Sequence, residues 1–199
     1  METIKSKGWN WDKSDEIFWR TPAEESYYLR LRWEKLDFEE FLDLGCGVGR
    51  HSLFFAEDGY TVTSFDISNS GLNELREKAD SMGLEMDLHH GDMLNLPYQS
   101  QSFDCILAYH SIYHTNYVNL KSIFSKLYDL LVDGGELYVT LNSKATPAFT
   151  DLRNNKVDEH TIIKTEGIEA GILHTYVSEE EISELIQCFK LVSMKHIGS

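Results

Sequence analysis

The chain is poor in cysteine, poor in basic side chains, and free of long apolar runs. Cys46, Cys105 and Cys188 are the only three cysteines, far apart and odd in number, with no C-x-x-C pair. That pattern argues against a disulfide framework and against a cysteine-built metal site, and suits a reduced compartment. Only 18 Lys and Arg side chains face 33 Asp and Glu, a formal net charge of −15. Nucleic-acid binders leave a basic footprint, and no Lys/Arg-rich run occurs here. The sequence therefore predicts a small-molecule or protein partner, not nucleic acid. No window approaches the roughly 20 consecutive apolar residues that span a bilayer. The first residues, "METIKSKGWNWDKSDE", have no apolar signal core. A cytoplasmic location with no membrane partner is the expectation. There is no internal repeat and no low-complexity segment.

What is present is an alternation. From Phe38 onward, strand-like runs at 38–45, 60–67, 84–92, 102–110 and 135–142 are separated by helical patterns at 50–59, 70–83 and 118–135. This predicts an α/β domain, with helices covering both faces of a parallel sheet. Leu120, Ile123, Phe124, Leu127, Leu130 and Leu131 form the apolar stripe of the longest helix. Two regions break the rhythm. Residues 1–37 carry all four tryptophans (Trp9, Trp11, Trp19, Trp33), with a helix expected over 22–36. Residues 143–177 are irregular, with a hairpin over 160–177 turning near Gly167 and Gly171. A helix then starts at Ser178 in a capping box with Glu181. A last strand is expected at 189–196.

The stretch "FLDLGCGVGR" (41–50) sets Gly45, Gly47 and Gly49 after the first strand, at the entry to a helix. Such a turn lets the backbone approach a ligand, and the helix N-terminus attracts negative charge. A dinucleotide loop reads G-x-G-x-x-G; here the third glycine comes one position early and Arg50 stands where the last would be. Asp66 ends the second strand and can accept both hydroxyls of a ribose. Asp92, in "GDM" (91–93), ends the third strand. It can accept an adenine amino group, with Met93 packed on the ring. Each is singly an ordinary turn or cap residue. Together they stand at the carboxyl ends of parallel strands, where open α/β sheets bind ligands, and they describe a nucleoside site.

In these motifs the chain resembles the class I S-adenosylmethionine-dependent methyltransferases. The small bacterial enzymes of the ubiquinone/menaquinone-biosynthesis and tellurite-resistance type are the nearest in pattern. "DLGCGVGR", "SFDIS", "HHGDMLNLPYQSQSFDCILAYHSIYH" and "LVDGGELYVTLN" follow the family's motifs in order over 38–142. The resemblance implies a Rossmann-like, doubly wound, mostly parallel sheet of six or seven strands. It implies S-adenosylmethionine as cofactor and S-adenosylhomocysteine as product. Asp43, Gly45, Cys46 and Gly47 would surround the methionine part. Asp66 and Ile67 would lie at the ribose, Asp92 and Met93 at adenine, and Tyr109 near the sulfonium. Phe103 and Asp104 would position the fourth strand.

The domain plan is then one unit over 1–199: an aromatic cap (1–37), a cofactor-binding core (38–142), a substrate-side insertion (143–177) and a C-terminal helix and strand (178–199). Family members usually end in two antiparallel strands. Here about ten residues follow the last helix, so one strand is short and the open edge would need cover. A monomer or a homodimer fits.

Methyl transfer from a sulfonium needs alignment but no metal. A base helps where the acceptor carries O–H or N–H. "YHSIYHT" (109–115) places His110 and His114 as base candidates. Tyr113, His174 and Trp19 are candidates for contacting the acceptor. Trp9, Trp11 and Trp19 read either as a lid over the cofactor or as plain packing. A non-catalytic cofactor-binding module is the alternative function. A nicotinamide-dependent oxidoreductase is disfavoured by the glycine spacing.

Overall fold

In the computed structural model, which describes residues 7–9, 11, 16–167 and 169–197, five parallel strands form the central sheet. They are β1 (Glu40–Leu44), β2 (Thr61–Asp66), β3 (Asp87–His90), β4 (Phe103–Ala108) and β5 (Leu131–Val139), in the order β3-β2-β1-β4-β5. The order reverses between β1 and β4, so a crevice opens there at the carboxyl ends of the strands.

β1 is buried on both faces, and its side chains alternate between two cores. Leu42 and Leu44 join the cluster under α4 (Tyr117–Leu130), with Ile106, Leu120, Ile123, Phe124, Leu127 and Leu130. Phe41 points the other way, to Trp33, Phe55, Tyr60 and Leu107. That second layer is made by α1 (Glu24–Glu34) and α2 (Arg50–Glu57). α3 (Asn69–Met82) seats Leu72 and Leu75 beside Cys46. Each such buried Leu or Phe stabilises the fold by about 1.5–3 kcal/mol. α1 is also clamped to β5: Arg32 Nε donates to Glu136 Oε2 at 2.8 Å and Trp33 Nε1 donates to the same oxygen at 2.9 Å.

Three expectations are corrected. The parallel sheet has five strands, not six or seven; the remaining strands make a separate sheet. That sheet is β6 (Asn142–Ser143), β9 (Leu173–Val177), β8 (Thr161–Ile163) and β7 (Asn155–Lys156). The helix expected over 118–135 stops at Leu130, because Leu131 turns into β5 and pairs with Phe103. β5 thus starts before Gly134 and Gly135, with a register irregularity where they fall. Residues 189–197 form no strand; Leu191, Val192, Met194 and Ile197 are exposed and lack a paired neighbour in a sheet.

The hairpin over 160–177 is present as β8 and β9, antiparallel, with Ile162 opposite His174. The capping box of α5 (Glu179–Leu185) is complete: Ser178 Oγ accepts the Glu181 N–H and Glu181 Oε2 accepts the Ser178 N–H. Among the described residues no helix is long and apolar enough to cross a membrane.

Candidate active site

The glycine turn is laced to β2. Gly45 N–H and Cys46 N–H both donate to Phe65 O, at 2.7 and 3.2 Å. Gly45, Gly47 and Gly49 all have φ between 56° and 79°, a region other residues rarely adopt. The missing side chains make room for protein as well as for ligand. A Cβ on Gly45 would lie 2.2 Å from Ser111 Cβ, and one on Gly47 would lie 2.4 Å from Trp11 Cζ2.

Asp66 organises the ends of β1 and β2. Its Oδ2 accepts the Gly47 N–H at 2.8 Å and its Oδ1 accepts the Ser68 N–H at 2.7 Å. Burial raises its pKa, and the backbone N–H donors oppose that rise. Each oxygen keeps a lone pair for a ligand hydroxyl. Asp92 Oδ1 accepts the Leu94 N–H at 3.0 Å and caps a single 3-10 turn, Met93–Asn95. Gly91 N–H donates to Asp66 O, so the two acids are held in one frame. The turn reading and the ligand reading of these acids hold together: the turns aim the carboxylates.

One pocket of about 870 Å³, counted to its open mouth, runs along these strand ends. Gly45, Cys46, Asp66, Ile67, Asp92, Met93, Tyr109, His110, His114 and Trp19 all line it. Ten of the candidates read from sequence therefore share one cavity. Gly47, Asp43, Tyr113 and His174 stand outside its wall. Asp43 is buried beneath the turn, where its Oδ2 accepts the Ser52 hydroxyl at 2.6 Å, and burial pushes its pKa up to about 6. Tyr113 is buried behind His110, its hydroxyl 3.1 Å from His110 Nδ1. His174, expected to reach the pocket from an irregular region, is instead buried in β9 at 1% exposure.

His110 has φ +53°, unusual for a residue with a side chain. Its N–H donates to Thr140 Oγ1 at 2.7 Å, which helps hold that conformation. Burial, with Arg50 and His114 nearby, lowers its pKa to about 4, so the ring is neutral near pH 7. Burial likewise lowers the pKa of His114, although Glu169 pulls the other way.

The tryptophans form one wall. Trp9, Trp11 and Trp19 pack with ring centroids 4.9–6.1 Å apart, and all three line the pocket. Ser68 Oγ donates to Trp9 O at 2.8 Å, fixing the segment to the end of β2. Trp9 Nε1 and Trp19 Nε1 are buried donors with no hydrogen-bond partner among the described residues. Arg50 spans the same wall: its guanidinium lies 5.2 Å from the Phe18 and Tyr109 ring centres and donates to Phe18 O. Trp33 is different, fully buried under the sheet as a packing residue.

Several residues at the site were not singled out from sequence. His51 lines the pocket with its pKa lowered to about 3 by burial, then by Arg50 and His110; its Nε2 accepts the Ala23 N–H. Ser111 and Lys7 also line it, and Glu169 meets His114 from the β8–β9 loop. For His51 the signal was its place one residue after Arg50, in the first turn of the helix behind the glycines. Glu169 carried none, because only the hairpin brings it near.

The parallel order and the switch point define an α/β domain whose pocket is lined by Asp66 and Asp92 at its strand ends. A family model described as "Methyltransferase domain" matches residues 41–135. Over this segment the chain is similar to methyltransferase domains. It is 27% identical over 162 residues to a protein of Geobacillus sp. (strain WCH70) that carries the name "Putative methyltransferase", covering 79% of this chain and 56% of that protein. It thus spans little more than half of that relative's length. The PH0226 protein of Pyrococcus horikoshii OT3 shares the fold, with a TM-score of 0.69 at 19% identity over 93% of this chain and 95% of that one. So does the 1,6-didemethyltoxoflavin-N1-methyltransferase of Burkholderia thailandensis, solved with 1,6-didemethyltoxoflavin and S-adenosylhomocysteine. There the TM-score is 0.60 at 18% identity, over 83% and 65% of the two chains.

Proposed function

We propose that this protein transfers a methyl group from S-adenosylmethionine to a small-molecule acceptor. The observation that carries the proposal is the shared pocket wall: Asp66 ends β2, Asp92 follows β3, and both flank the Gly45–Cys46 turn after β1. Asp66 has lone pairs for a ribose diol, and Asp92 with Met93 suits adenine. The unpartnered indole donors of Trp9 and Trp19 suit an acceptor-bearing ligand such as a carboxylate.

S-adenosylmethionine, when bound, supplies a methyl group already activated on a sulfonium. The chain's task is then alignment, which contributes up to roughly 7–11 kcal/mol in such reactions. The rings of Tyr109 and Trp19 offer negative faces to a cationic centre. His110 is neutral and lines the pocket, so it is free to accept a proton from an acceptor O–H or N–H; His114 is the second candidate. The acceptor proposed is a small molecule. The Burkholderia relative in fold, with its small heterocyclic molecule, supports that reading.

The test is turnover of methyl-labelled S-adenosylmethionine against a panel of phenols, quinols, amines and nitrogen heterocycles. Label in an acceptor, lost in Asp66→Ala, supports the proposal. Cofactor binding with no transfer to any class of acceptor would favour a cofactor-binding module instead.

A further inference from the structure

Beside the pocket, the side chains of His114, Glu169 and His174 converge. His114 Nε2 lies 3.6 Å and His174 Nε2 3.2 Å from the same atom, Glu169 Oε1. One ligand atom from each residue falls within 4.8 Å of the others. His114 comes from the loop after β4, Glu169 from the β8–β9 turn and His174 from β9. Two distant parts of the chain thus build the cluster.

The hydrogen-bond inventory leaves this arrangement short of something. His174 Nδ1 lies 3.1 Å from Ile172 O, a carbonyl that can only accept, so Nδ1 carries the proton. In the neutral ring, Nε2 then presents a bare lone pair to a carboxylate oxygen in a buried place. Both Nε2 atoms face Glu169 Oε1, yet among the described residues neither makes a well-directed hydrogen bond. A proton on His174 and an Nε2–H tautomer of His114 would satisfy the two contacts one by one; a single cation at the centre satisfies both at once. Lys164 holds the other oxygen, Glu169 Oε2, and leaves Oε1 to the imidazoles.

We infer that His114, His174 and Glu169 form a binding site for a divalent first-row transition ion of the zinc type. Ligand atoms about 2.0–2.2 Å from a tetrahedral ion stand about 3.3–3.6 Å apart; the two contacts to Glu169 Oε1, at 3.2 and 3.6 Å, are close to that spacing, and the two imidazoles lie within 4.8 Å of each other. Two imidazoles and one carboxylate suit zinc, cobalt or nickel; magnesium and calcium take oxygen cages. The Nδ1 contact of His174 to Ile172 O is the outer-shell bond that metal-ligating histidines characteristically make. Three protein ligands leave a coordination position open, the pattern of a reactive site rather than a purely structural one. His114 is also a wall residue of the pocket, so the ion would adjoin the space assigned to the acceptor. Metal binding itself stands apart from the methyl-transfer reading.

The test is uptake of Co²⁺ and Zn²⁺ by the full chain after stripping with chelator, followed by calorimetry and the visible spectrum of the cobalt form. One ion per chain is expected, with a visible absorption typical of low-coordinate cobalt. Glu169→Gln and His174→Gln should each weaken binding at least tenfold. His90→Gln, at a histidine remote from the cluster, should leave it unchanged. Thermal melts in chelator establish that the variants fold. If His174→Gln fails to fold, Glu169→Gln and His114→Gln carry the comparison. No saturable uptake, or uptake equal in wild type and every folded cluster variant, would overturn the inference. Preference for Mg²⁺ over Zn²⁺ would do the same.

Discussion

The Asp66 carboxylate accepts the Gly47 N–H at 2.8 Å and so ties the end of β2 to the turn after β1. One side chain both shapes the turn and lines the pocket. Asp66→Ala should therefore weaken S-adenosylhomocysteine binding by at least tenfold. It should also destabilise the fold by about 1–3 kcal/mol, because two buried N–H groups lose a charged acceptor. Asp66→Asn, which keeps one oxygen, should cost less stability. Equal melts for the two variants would show that the Gly47 and Ser68 bonds contribute little.

The tryptophan wall is testable through Gly47. Alanine there meets Trp11 and takes an unfavourable φ, so Gly47→Ala should displace the indole. The expected result is altered tryptophan emission and a loss of about 1–2 kcal/mol. Adding Trp11→Ala should recover the clash and leave the backbone cost. Unchanged emission in Gly47→Ala would place Trp11 elsewhere in solution.

A related experiment separates lid from packing. Removing residues 1–20 takes away three of the wall's indoles. Under the lid reading, affinity for S-adenosylhomocysteine falls by at least fivefold while the core still melts cooperatively. Unchanged affinity and turnover would sink the lid.

Asp43 makes stability depend on pH. Its folded pKa, about 6, lies above its unfolded value near 3.9. The folded state therefore binds the extra proton between those limits, and this contribution to stability falls as pH rises from about 4 to 6. Asp43→Asn keeps an oxygen for the Ser52 hydroxyl but has no charge to bury. Relative to wild type it should gain about 2–3 kcal/mol between pH 4 and pH 7 in denaturant melts. A difference flat across that range would mean that Asp43 stays ionised at the usual carboxylate pH.

The clamp on α1 gives another comparison. Glu136→Ala strands Arg32 and the buried Trp33 indole N–H, and should cost about 1–3 kcal/mol. Glu136→Gln, which keeps an acceptor, should cost less. Equal losses would point to packing rather than to these bonds.

The central sheet was legible because its signals are local. Strand-like apolar runs and the helical spacing between them each act within a few residues, as the Ser178–Glu181 box does further on. Asp66, Asp92 and the 109–114 loop were legible because parallel topology sends every strand's carboxyl end to one side. Asp43 and Gly47 were read as cofactor contacts from their place in the motif. The structure puts Asp43 beneath the turn and Gly47 under Trp11, because of the direction of one side chain and the packing of a distant segment, neither of which spacing encodes. The 189–196 strand was expected from its apolar residues, but a strand also needs a neighbour to pair with. Glu169 was invisible for the opposite reason: its partners lie 55 residues before it and five after, on elements whose pairing sequence does not state.

The central claim is that the pocket along the ends of β1, β2 and β3 binds S-adenosylmethionine. Titration calorimetry with S-adenosylhomocysteine tests it most directly, with NAD as the contrasting ligand and Asp66→Ala as the contrasting protein. The account predicts one saturable site for S-adenosylhomocysteine, at least tenfold weaker in Asp66→Ala, and none for NAD. No binding of S-adenosylhomocysteine, or binding that Asp66→Ala leaves untouched, would contradict it.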